Sequence, residues 1–239
     1  MGTEKELHPI DQVINWVKGL LRSKIPTDEA IDRYAKGARD FDTICGASST
    51  VIYSAAVLGT VSIWDSSFEK EAKSDELQLR AITEVAWFLI SALCRDLYIL
   101  AKQQGCDVKI RDVVQERIVS TVVSEITTKH FRSRTNDTAQ YNQLITFYNE
   151  AEIEFGTTSQ INPTPENMGL GDNLAGISAV RLSRVISRET DVALQIELSK
   201  ASMQFYIATD IPKYAGELVN AYYERRVTYC ICEGIKINS

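Results

Sequence analysis

The sequence predicts an all-α fold, a non-repetitive bundle of about seven to nine helices around a central buried helix at 76–104. Two observations lead there. Apolar residues recur three and four positions apart along most of the chain, the spacing that gives a helix one buried face. In addition, Glu76–Gln104, ELQLRAITEVAWFLISALCRDLYILAKQQ, is apolar around nearly its whole circumference, as a core helix is. At about 100° per residue, Arg80, Glu84, Phe88, Ser91, Arg95, Tyr98 and Lys102 fall in one narrow polar stripe. Asp96 falls outside it, among Val85, Leu89, Ala92, Ile99 and Leu100. A carboxylate on an apolar face needs a cation, a donor or a proton.

The flanking elements follow in order. Pro9 opens a first helix that carries Ile10, Val13, Ile14, Val17, Leu20 and Leu21, and Pro26 closes it. Thr27 caps the next, with Asp28 and Glu29 in its first turn. Gly46 either breaks that helix or leaves one kinked rod. Gly105 stops the central helix. Val113/Val114, Ile118/Val119, Val122/Val123 and Ile126 keep a helical period despite their β-branched character, because strand alternation is absent. Asp137 and Gln140 read as a capping pair before Tyr141, Leu144, Ile145, Tyr148, Ala151 and Phe155. The stretch 156–172, GTTSQINPTPENMGLGD, is a long glycine- and proline-bearing loop. Asp172 or Asn173 caps a helix to about Arg188, and another runs to Thr209 with no strong breaker between them. Pro212 restarts the chain, and the tail VTYCICEGIKINS alternates enough to suggest a short strand or an extended arm. The chain is expected to form a single all-helical domain, divisible into lobes at 1–155 and 173–239 joined by the loop 156–172.

The bulk numbers narrow the function classes. Of 239 residues, 44% are apolar and 24% charged, with a net charge of −6 and both signs interspersed. That composition suits a globular protein and argues against one whose whole surface grips nucleic acid or anionic lipid. Cys45, Cys94, Cys106, Cys230 and Cys232 are odd in number and scattered, unlike a disulfide framework. The charged start MGTEKELHP has no apolar signal region, so a cytoplasmic location is expected. Ile44–Trp64 is long enough to cross a bilayer, but its Ser, Thr and Gly content reads as a buried helix, and no membrane span is expected.

The chemistry-bearing candidates are few. His8 and His130 are the only histidines, and Cys230-x-Cys232 has no second pair, so neither a metal site nor a cofactor is expected. No nucleophile elbow is present, and Gly169, Gly171 and Gly176 lack both phosphate-loop spacings. Arg181, Arg184 and Arg188, at i, i+3 and i+7, form a basic stripe that could meet nucleic acid or an acidic partner, or pair with carboxylates such as Asp191. Tyr222, Tyr223, Arg225 and Arg226 on the last helix are residue types that anchor interfaces. Asp96, with Glu84 and Arg95, is the weak catalytic candidate; the alternative is an ion pair with Arg33, Arg39 or Arg117.

Three functional readings follow. The first is a protein-interaction or self-assembly module, its partner another protein or a second copy. The second is an enzyme or small-ligand binder using Asp96 in an inter-helix pocket. The third is a nucleic-acid-binding assembly protein using the Arg181 stripe.

Overall fold

The computed structural model describes residues 27–68, 74–105, 108–130, 138–158 and 172–232, with side chains described between 40 and 223. Among these residues there are seven α-helices and no strand: α1 (Thr27–Ser66), α2 (Asp75–Gln103), α3 (Ile110–His130), α4 (Thr138–Phe155), α5 (Leu174–Val185), α6 (Val192–Ala208) and α7 (Ile211–Cys232). The helix expected from Ile10, the Asp137 cap and most of the 156–172 loop lie outside the described residues.

Local chemistry sets the helix ends. The Ser74 hydroxyl accepts from the Leu77 N–H at 3.2 Å, and Asp75 and Glu76 fill the first turn of α2, where the macrodipole favours acid. Gly105 ends α2 at φ +67°, the left-handed conformation glycine adopts without a Cβ penalty. Of the two candidate caps for α5 it is Asn173 that acts, accepting from the Gly176 N–H at 2.9 Å. Gly46 does not break α1, which runs continuously for 40 residues.

The stretch between α5 and α6 is the place where breaker residues mislead. It has no Gly or Pro, yet the helix stops. Ser187 takes φ 55°, and the Arg188 N–H reaches back to the Ser183 carbonyl at 2.9 Å, a six-to-one closure that serine performs here in place of glycine. Asp191 then caps α6, accepting from the Leu194 N–H at 3.0 Å. Asp210, at φ 51°, makes the next corner. Pro212 follows in the first turn of α7, where its missing N–H costs no helical bond. α7 runs on through Val227–Cys232, so this part of the tail is helical, while 233–239 lie outside the described residues.

Two compact units can be drawn from the contacts, 45–216 and a smaller one of 1–44 with 217–239. In the smaller, Phe41 is fully buried and its ring lies 5.7 Å from that of Tyr222. In the larger, α2 packs against α3, α4, α5 and α6, while α3 pairs with α4 and α5 with α6. Ala86, Trp87, Phe88, Leu89 and Ile90 have no solvent exposure, and five successive residues cover every direction around a helix. α2 is therefore core on all sides at its middle. The two flanks of the loop after α4 meet: the Thr158 hydroxyl donates to the Asp172 carbonyl at 2.8 Å, and both lie in the larger unit.

Candidate functional site

The middle of the α2 polar stripe faces inward, while Arg80, Tyr98 and Lys102 at its ends are exposed. Phe88 and Ser91 are buried, and the stripe is met by α4 and α5. Arg181 on α5 grips Glu84 with both arms of its fork, Nε to Oε2 at 2.6 Å and Nη2 to Oε1 at 3.0 Å. Its third nitrogen donates to Glu154 Oε1 on α4 at 2.6 Å. Arg184, one turn later, reaches both Glu154 oxygens at 3.0 and 2.9 Å. Burial pushes the Glu84 carboxyl above its ordinary range, and the Arg181 guanidinium draws it back. Glu84 thus pairs across helices and not with Arg80. Arg95 donates to the Phe155 carbonyl at 3.2 Å, at the C-terminal end of α4 where a cation suits the exposed carbonyls.

Asp96 meets neither Arg117 nor any other cation among the described residues. Its partner is Tyr206 on α6, whose hydroxyl donates to Oδ2 at 2.8 Å. Burial raises the Asp96 pKa, and the Tyr206 hydrogen bond lowers it in part. The sign follows from linkage. A carboxyl with a raised folded pKa binds its proton more tightly in the native state, so stability falls as pH rises from the ordinary aspartate value, about 3.9, through the raised one. At neutral pH the charge therefore opposes folding. Asp96→Asn is expected to fold, to match or exceed wild-type stability at pH 7, and to flatten stability against pH in the acid limb. Tyr206→Phe is expected to cost about 1–3 kcal/mol by leaving the carboxylate without a donor. Urea melts of both variants between pH 4 and 7 check this; an Asn variant that unfolds at pH 7 would contradict it.

The basic stripe does not form a free cationic face. Arg181 is only 7% exposed. Arg184 is half exposed but bound to Glu154. Arg188 lies beyond the end of α5 and pairs with Asp191. On α7, Tyr222 lies against Phe41 and Tyr223 is exposed, while the Arg225 and Arg226 side chains lie outside the described residues.

Two concavities were not anticipated. An open groove of about 420 Å³ between α3 and α4 is lined by Asp112, Glu116, Glu152, Tyr141 and Tyr148 among others. Behind it a cavity of about 20 Å³, room for a single water, is bordered by Cys94, Arg95 and Arg111. Gln115, Tyr148 and Glu152 wall both. Arg111 and Gln115 both donate to Glu152 Oε1, at 2.9 and 2.7 Å. Burial pushes the Cys94 thiol up to about 12, so it is no nucleophile. Among the described residues no three His, Cys, Asp or Glu are grouped to hold a metal.

A further feature without a precedent in the sequence motifs is the outer face of α1. Gly46, Ala47, Thr50, Ser54, Leu58, Val61 and Ser62 are all exposed and all uncharged. They recur every three to four residues, so they form one strip along the helix. Leu58 is 70% exposed and Val61 54%. The opposite face, with Ile52, Tyr53, Ala56, Ile63 and Trp64, is buried. Tyr53 and His130 Nε2 share a 2.9 Å hydrogen bond that ties α1 to the end of α3. Residues Asp40–Ser66 of α1, and α2, are long and apolar enough to cross a membrane, a test that core helices of soluble proteins also pass.

No family model, curated protein or solved structure matches the chain. What the geometry defines by itself is an all-α scaffold. Its arginines at 181, 184 and 188 join helices and turns, and among the described residues an uncharged surface strip runs along α1.

Proposed function

We propose that this chain is an interaction module that docks through the outer face of α1. The observation that supports it is the uncharged exposed strip from Gly46 to Ser62. On a chain in which about one residue in four is charged, a solvated helix face ordinarily carries charge. A face with Leu58 and Val61 open to water and no charge between 46 and 62 gains by being covered. Small residues at 46, 47, 50 and 54 let another surface come close to the helix backbone. A Cβ added at Gly46 would meet nothing within 4 Å, so space over that end is open.

The nucleic-acid reading loses its main support, because Arg181, Arg184 and Arg188 are each engaged by a carboxylate. The reading as a ligand binder or enzyme keeps one observation in its favour: Asp96 faces a hydroxyl and not a cation. The groove and the cavity described above are lined by other residues, around Glu152.

Leu58→Asp tests the docking face. The side chain makes little folded contact, so stability is expected to change by less than about 0.5 kcal/mol. Association, with itself or a partner, is expected to be lost, read as weaker attraction in static light scattering of concentrated protein. Self-association and binding to another protein both left unchanged by the variant at equal stability would refute the proposal.

A further inference from the structure

The α1 strip has a built-in pairing rule. Its N-terminal half is small, with Gly46, Ala47 and Thr50, and its C-terminal half is large, with Leu58 and Val61. Ser54 lies at the midpoint of both sets. Thr50 and Leu58 are each four residues from it; Ala47 and Val61 are each seven; Gly46 and Ser62 are each eight.

We propose that two copies of this chain associate through α1, antiparallel, about a two-fold axis at Ser54. This rests on the interaction-module reading and names its partner. In a two-fold contact, a residue a given distance before the axis comes level with the residue the same distance after it. Leu58 of one copy then lies beside Thr50 of the other, and Val61 beside Ala47. Each large side chain meets a small one, so the two helices interlock along the whole strip. A parallel pair would set large against large at one end and leave small against small at the other.

Charge points the same way. A two-fold axis makes charged groups near it meet their own copies, which a chain of net charge −6 tolerates poorly. The strip from Gly46 to Ser62 offers no charge to repel. The strip spans 17 residues, about 24 Å at a rise of ~1.5 Å per residue. A contact of one helix face belongs to the small, reversible class of interfaces.

The test uses the full chain. Ser54→Cys treated with a short bismaleimide is expected to give a covalent dimer whose linked peptides, read by mass spectrometry, join position 54 to position 54. Thr50→Leu is expected to weaken self-association by roughly tenfold or more, and the swap Thr50→Leu with Leu58→Thr to restore most of it. A dimer with no 54–54 link and no rescue by the swap overturns the antiparallel register. A chain monomeric at all concentrations, whose binding to another protein is still abolished by Leu58→Asp, overturns the second copy and spares the docking face. A dimer indifferent to Leu58→Asp overturns both.

Discussion

Arg181→Ala is expected to destabilise the fold by about 3–5 kcal/mol, the usual cost of leaving a buried charge without its partner. Arg181 holds Glu84 bidentately and Glu154 with its remaining nitrogen, so its removal strands the Glu84 carboxylate against the core helix. Arg184 remains to satisfy Glu154, which limits the damage on that side. The charge itself is not what the fold requires. Replacing both partners, Arg181→Met with Glu84→Leu, is expected to recover most of the loss, because desolvation of the pair offsets much of its attraction. Urea denaturation of the two single variants and the double variant measures this. A double variant no more stable than Arg181→Ala would show that the pair contributes something an apolar contact cannot replace.

Trp87→Ala is expected to cost about 3–5 kcal/mol. The indole is fully buried at the middle of α2 and meets the Tyr148 ring edge-on, with centroids 5.1 Å apart. α2 touches four helices of its unit, so a void there loosens contacts in several directions at once. Thermal melts followed by circular dichroism check this, with Ile153→Ala, at a side chain 74% exposed, as a surface control expected to change stability by less than about 0.5 kcal/mol. A Trp87→Ala variant within 1 kcal/mol of wild type would mean that α2 is not the centre of the packing.

The central helix was legible because periodicity reports burial directly: a segment apolar on every side has to be surrounded. The sense of its polar stripe was not. Glu84 and Arg95 look the same in sequence whether they face water or a partner, and the partners Arg181 and Phe155 lie 97 and 60 residues away. Phe88, counted with the stripe by its angle, was the hint that the stripe is internal. Asp96 was legible as an oddity, but a tyrosine on a helix of mixed polarity 110 residues on carries no mark of its role. The break at Ser187 was hidden because serine does a turn that glycine usually does. The α1 strip was hidden for the opposite reason. Ile44–Trp64 reads as uniformly uncharged, and only three-dimensional placement separates the buried Tyr53 and Ile63 from the exposed Leu58 and Val61.

The pairing of two copies through α1 is tested most directly by sedimentation velocity of the full chain over a concentration series. The mass is expected to rise from 26.8 kDa toward twice that value as concentration increases, with a Leu58→Asp variant that stays at 26.8 kDa throughout. A wild-type chain that remains at 26.8 kDa at every concentration, or a variant that associates as the wild type does, would contradict it.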